Sequence, residues 1–271
     1  MPRLGLGLGL TMGGNILGVG LSAEALAWEA RIVANGGTIL PATLQIFDTH
    51  FFRPAIANGN ILTELDRLNI YCGLNGFEIA ARTNIIKSAH FVTPVSSPTF
   101  DNDGYKSAGT GYLDLNYNPN TQGVKFTLNS AIILYGVKNP TFTTQYRAIG
   151  SNNGANVRSD LQRDGVGTSG FLNSTVTLAN ATKPTGNVFS AIQRTGASAL
   201  KNITNTTETT GSVASISIPN FNMFELCLNF AGSPLAPFDV ISHTYSACGS
   251  SAFDYVNFRV IINNLLTALG V

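Results

Sequence analysis

Two carboxylates sit inside otherwise apolar, strand-like runs of this 271-residue chain: Asp114 in YLDLNY and Glu225 in FELCLNF. Carboxylates that alternate along one strand share a face, and a pair across a cleft can act as acid and base on a glycosidic bond. There is no E-x-D-x-E pattern here and each acid stands alone in its run. Both therefore read as surface or hydrogen-bonded strand residues, and catalysis of that kind is disfavoured. His50, His90 and His243 are scattered, with neither an HExxH pair nor a GxSxG elbow. In SPTFDNDGY, Asp101, Asp103 and Gly104 imitate the start of a calcium loop, but Tyr112 falls where the bidentate acid belongs. A polar turn is the expectation there. Cys72, Cys227 and Cys248 make an odd number without a CxxC, and read as small buried hydrophobes, although one pair could still bridge. No cofactor, metal or catalytic residue is expected.

Aromatic rings offer a different chemistry. Tyr105, Tyr112, Tyr117 and Tyr146 lie near loops or strand ends, where rings can stack on sugars beside Asn and Asp side chains. The competing reading, the edge of a core, is the commoner one. Trp28, between Glu24 and Arg31, reads as a core or interface anchor.

The elements that must position these residues follow from periodicity. Ser22 is a candidate N-cap for AEALAWEARIVA, which stops at Gly36–Gly37. Pro41 opens a second helix with an apolar stripe at Leu44, Ile46, Phe47 and Phe51, ending near Pro54 or Asn58. Strands are expected at 112–117, 131–137, 144–150, 173–179, 188–195, 198–204, 213–219 and 224–230, separated by Gly, Asn, Pro and Ser clusters. Phe258, Ile261, Ile262, Leu265, Leu266 and Leu269 form a wide stripe before Gly270, a closing helix. The plan is mainly β: an antiparallel β-sandwich with N-terminal helices and a C-terminal helix. The expected division is a Gly/Leu-rich anchoring segment at 1–20, a helical segment at 21–74, the sandwich at 75–252 and the closing helix at 253–271.

Only 11% of residues are charged, the net charge is +1, and no basic stripe is present. Nucleic-acid binding, which needs such a stripe, is disfavoured, as is a membrane span. The opening LGLGLGL alternates with period two, so Leu4, Leu6, Leu8 and Leu10 would share one edge of an extended segment. It suits addition to a neighbour's sheet or groove; packing on its own domain and an export signal are the alternatives.

Three stretches carry a resemblance: GYKSAGTGYLDLNYNPNTQGVKFTLNSAIILYGVKN, FSAIQRTGASALKNITNTTETTGSVASISIPNFNMFELCLNFAGSPLAPFD and TYSACGSSAFDYVNFRVIINNLLTALGV. Together they resemble the concanavalin-like (laminin-G-like) jelly-roll sandwiches of bacteriophage virion proteins, and LGLGLGL resembles the starts of several phage structural proteins. The resemblance implies a non-enzymatic fibre, decoration or tail-tip component located in the virion. It implies other virion proteins as partners, with a homo-oligomer, most simply a trimer, docked through the N-terminal segment. The alternative on the same fold is a lectin-like protein that recognises host-surface glycan.

Overall fold

The computed structural model describes residues 20–71, 76–142, 145–165 and 167–271, so Leu4, Leu6, Leu8 and Leu10 of the expected anchor lie outside the described residues. At its start, the Ser22 hydroxyl accepts from the Ala25 N–H and caps helix α1 (Ala23–Ala34). Helix α2 (Pro41–Phe47) runs through a π turn at Asp48–Phe52 into α3 (Arg53–Ala57). Pro54 has no N–H with which to close an ordinary turn, and the helix widens just ahead of it. Next come β1 (Leu65–Ile70), α4 (Glu78–Arg82), β2 (Thr93–Val95), β3 (Thr99–Asp101), β4 (Gly104–Lys106), β5 (Tyr112–Asp114) and α5 (Pro119–Gln122). The long central strands are β6 (Ala131–Lys138), β7 (Tyr146–Asn152), β8 (Arg158–Arg163) and β9 (Thr168–Ser174). They are followed by β10 (Leu178–Asn180), β11 (Asn187–Arg194), β12 (Ala199–Thr204) and β13 (Thr207–Ser212). The chain ends with β14 (Phe224–Glu225), β15 (Leu228–Phe230), β16 (Ser233–Leu235), β17 (His243–Gly249) and α6 (Tyr255–Leu269). Asp254 caps α6, and Gly270 ends it at φ +77°.

Two antiparallel sheets form a sandwich. Sheet I runs β13-β12-β11-β6-β17-β4-β3, with β1 also paired to β17. Sheet II runs β10-β9-β8-β7-β14-β5-β2, and the β15–β16 hairpin joins it through a short parallel contact with β7. Alternation along the strands turns Ile133, Ile192 and Cys248 of sheet I toward Leu161, Leu172 and Leu113 of sheet II, all buried.

The helices cover one sheet only. Helix α6 lies on the outer face of sheet I, with the Phe258 ring 5.8 Å from Tyr245 and Tyr255 6.2 Å from Phe189. The α2–α3 unit packs on α6 through Phe51 and Phe258, 6.4 Å apart. Gly136 allows this: a Cβ there would lie 2.2 Å from the Tyr245 ring.

Several details differ from the sequence reading: β13 and β17 lie outside the expected ranges, and β5 stops at Asp114. The run 173–179 breaks at 175–177, so that β9 and β10 form a hairpin. VASISIP forms no strand; the segment leaves the edge of sheet I, and the Ile216 N–H reaches the Asn173 carbonyl instead. FELCLNF is two short strands, because Leu226 takes φ +67° and turns the chain. Strand β8 and the start of β9 carry no apolar alternation and were not expected at all.

Candidate functional site

Strand β8 reads RSDLQR, and its period of two separates the six residues into two sets. Ser159, Leu161 and Arg163 point between the sheets; Arg158, Asp160 and Gln162 point outward from sheet II. Each set belongs to a different polar cluster.

The inner cluster is sealed. Arg163 donates from Nη2 to Asp239 Oδ1 and Oδ2 at 2.5 and 2.6 Å, and from Nη1 to the Thr141 carbonyl at 2.7 Å. His243 sets Nε2 3.2 Å from Asp239 Oδ2 and Nδ1 2.8 Å from Glu225 Oε1. Carboxylates only accept, so both ring nitrogens donate and the imidazole is a cation. Burial works against that charge, but the bonds to Asp239 and Glu225 outweigh it and raise the His243 pKa. For Asp239, burial pushes the pKa up while the Arg163 charge and His243 pull harder, leaving it lowered. Glu225 Oε2 accepts from the Tyr71 and Ser246 hydroxyls, both at 2.6 Å. Arg67 donates to Ser246 Oγ at 3.1 Å, to Tyr71 Oη at 3.2 Å and to Asn69 Oδ1 at 2.8 Å. Arg163, Asp239, His243, Glu225 and Ser246 are all fully buried. The Ser–Glu–His–Asp series has the residue types of acyl-transfer machinery, but no substrate can reach it. It ties the two sheets together.

The outer cluster lies on the face that no helix of the described residues covers. Gly150 makes it possible: φ is +146°, and a Cβ would lie 2.3 Å from the Asp160 Cβ. Arg158 Nη2 donates to Asp160 Oδ2 at 2.5 Å, and its guanidinium lies 4.0 Å above the Phe171 ring. Burial raises the Asp160 pKa, with Arg158 acting against it. Arg147, opposite Gln162, donates from Nη1 to Gln162 Oε1, which also accepts from Gln145 Nε2 at 3.2 Å. Two strands across, the Tyr112 and Phe224 rings are 4.6 Å apart at 35°, and Asn222 donates to Asp114 Oδ1 at 3.1 Å. Guanidinium, amide and aromatic groups on a half-open sheet face are equipped to bind a polar ligand with apolar faces, and hold no obvious nucleophile.

The residues singled out from sequence divide accordingly. Tyr112 and Asp114 are on the outer face. Tyr105 and Tyr117 are core: their hydroxyls donate to Glu78 Oε1 and Asp66 Oδ2, both at 3.1 Å. Tyr146 turns inward, its ring 5.1 Å from the Arg163 guanidinium. Glu225 does not stand alone, as its run suggested; its partners are Tyr71, the residue after β1, and His243 and Ser246 of β17. His90 sets Nδ1 2.8 Å from the Asn116 carbonyl, and Trp28 is wholly buried, 4.7 Å from Phe47. Asp101 and Asp103 pair with Lys106 and Lys138 at 2.8 and 2.6 Å in a polar turn. Cys227 and Cys248 are buried free thiols, and burial pushes Cys248 up to about 12; Cys72 lies outside the described residues. Among the described residues no His, Cys, Asp and Glu cluster could hold a metal, and no helix is long and apolar enough to cross a membrane. Sequence reading missed Arg147, Arg158, Asp160 and Gln162, because the strand that carries most of them shows only one apolar residue.

No family model matches the chain, and no curated protein does. Solved structures share its architecture. The binding domain of botulinum neurotoxin serotype D superposes with a TM-score of 0.50 at 9% identity, over 76% of this chain and 52% of that one. Domain 4 of the extracellular arabinanase AbnA of Geobacillus stearothermophilus, in complex with arabinotriose, gives 0.47 at 16%, over 68% and 93%. A Trypanosoma rangeli sialidase in complex with sialic acid gives 0.47 at 11%, over 83% and 39%. The chain thus matches about half the length of the neurotoxin domain, and at such identity the likeness establishes the β-sandwich fold.

Proposed function

We propose that this chain is a non-catalytic, lectin-like binding domain whose outer sheet II face takes glycan. The observation that carries the reading is the asymmetry of the two outer faces. Helix α6 packs on that of sheet I, whereas no helix of the described residues covers that of sheet II, where Arg147, Asp114 and Tyr112 are partly exposed beside the buried Gln162 and Phe224. That the neurotoxin domain of the same fold is itself a binding domain is in keeping with this. Asp114 is bonded to Asn222, and Asp160 is wholly buried and paired through Oδ2 with Arg158, out of reach of a ligand on the face. The test is a glycan array with the wild type and the Tyr112→Ala/Arg147→Ala double variant. Defined glycans should be retained by the wild type, released unhydrolysed, and bound about tenfold or more weakly by the folded variant. Absence of binding to every glycan, or equal binding by the variant, would overturn the reading.

A second reading, an attachment component of a bacteriophage particle docked through residues 1–20, is compatible with the first. The phage-like stretches and the low charge of the chain support it. Its test is the presence of this chain on purified particles at fixed stoichiometry, lost when Leu4, Leu6, Leu8 and Leu10 are replaced by Ser. Assembly indifferent to those four changes would end the docking proposal.

A further inference from the structure

The two arginines of the outer face are not equivalent. Arg158 is neutralised by Asp160 and capped by Phe171. Arg147 is half-buried, yet no carboxylate among the described residues pairs with it. Among the described residues its side chain donates only to the neutral Gln162 amide, and its backbone N–H is taken by the Pro237 carbonyl at 3.2 Å. The nearest counter-charge, Asp160, is bound by Arg158 and acts on Arg147 only from beyond ion-pair distance, and a partly desolvated guanidinium so placed gains from an anion that completes it. Burial lowers the Arg147 pKa and the neighbouring Arg158 charge lowers it further, while the Asp160 charge acts against both.

The geometry points to a carboxylated saccharide as the ligand, its carboxylate held by Arg147; this rests on the glycan-binding reading above. A guanidinium fork matches a carboxylate in shape and charge. The register Gly150–Phe224–Asp114 sets β5 two strand spacings, roughly 10 Å, from β7, so Tyr112 and Arg147 lie on the same outer face of sheet II on strands that far apart. A short oligosaccharide can therefore offer its acid to Arg147 while an apolar sugar face rests on the Tyr112 edge of the aromatic pair.

The test uses an array of free-acid glycans, of both uronic- and nonulosonic-acid types, beside the same glycans as methyl esters and beside neutral and sulfated sets. Hits confined to free-acid glycans, weakened about tenfold or more by esterification and by Arg147→Gln, with partial recovery in Arg147→Lys, are the expected result. An unchanged melting temperature of Arg147→Gln shows that the loss is not unfolding. Equal binding of acid and ester, or hits on neutral or sulfated glycans alone, would overturn the carboxylate assignment and leave the glycan-binding reading standing. No hit on any set would remove both.

Discussion

Arg158 and Arg163 are five residues apart on one strand, and their surroundings are opposite. Arg163 is wholly inside, bound to Asp239 and through it to His243 and Glu225. Arg158 faces outward, pairs with one carboxylate and stacks on a ring, beside Arg147, which pairs directly with no carboxylate among the described residues. The inner set pairs its charges with one another and fixes sheet I against sheet II; the outer set leaves Arg147 without an ion-pair partner among the described residues. A polar group that is complete in the free protein has little to gain from a ligand, and one that is not complete does.

The contrast is broken most severely from inside. Asp239→Leu leaves Arg163 charged and unpaired and should remove about 3–5 kcal/mol of stability in urea unfolding. Adding Arg163→Met to it should recover part of that loss, and no recovery would mean that the pair does not act as a unit. Next in size, Gly150→Ala forces a side chain into a conformation that favours glycine and against Asp160, and about 1–3 kcal/mol should be lost. A similar cost for Gly154→Ala, where the added Cβ would meet only the Ala231 Cβ at 3.3 Å, would show that packing on Asp160 is not the cause.

A smaller effect appears on titration. The folded His243 pKa is raised above 6.5, so its contribution is complete below that pH and is lost as pH rises through the raised value. The folded Asp239 pKa is lowered below 3.8, so its contribution is present above that pH and lost as the medium is acidified through the lowered value. Melting temperature should therefore peak on the mildly acidic side of neutrality, and His243→Gln should flatten the alkaline limb; an unchanged limb would show that the imidazole is not the group responsible. The smallest stability effect belongs outside. Arg147→Ala should change unfolding by no more than about 0.5 kcal/mol while abolishing ligand preference. A large loss of stability would mean that Arg147, like Arg163, is structural.

What was legible beforehand was local. Ser22, Pro41 and Gly270 mark helix ends by chemistry that acts within a turn, and the apolar runs of β6 and β11 announce themselves. The inner cluster was illegible because Glu225 meets Tyr71 across 154 positions and Arg163 meets Asp239 across 76. The outer face was hidden for another reason. A strand with polar groups on both faces loses the alternation by which strands are read, and β8 has Leu161 alone to show. Tyr112 was on the list of candidate rings, but nothing near it in sequence separates it from Tyr105, which is core.

The division of β8 by parity also bears on how such a protein can change over generations. Arg158 and Gln162, and Arg147 across the ladder, point away from the apolar interior, so on the proposed function substitutions there would re-aim recognition without disturbing what holds the sheets together. Asp160 is the exception, since it sits under Gly150 and Arg158 and any change of its size is felt by the backbone. A lineage, or a laboratory library, that varies 147, 158 and 162 while keeping 160 can search new ligands on an unaltered frame.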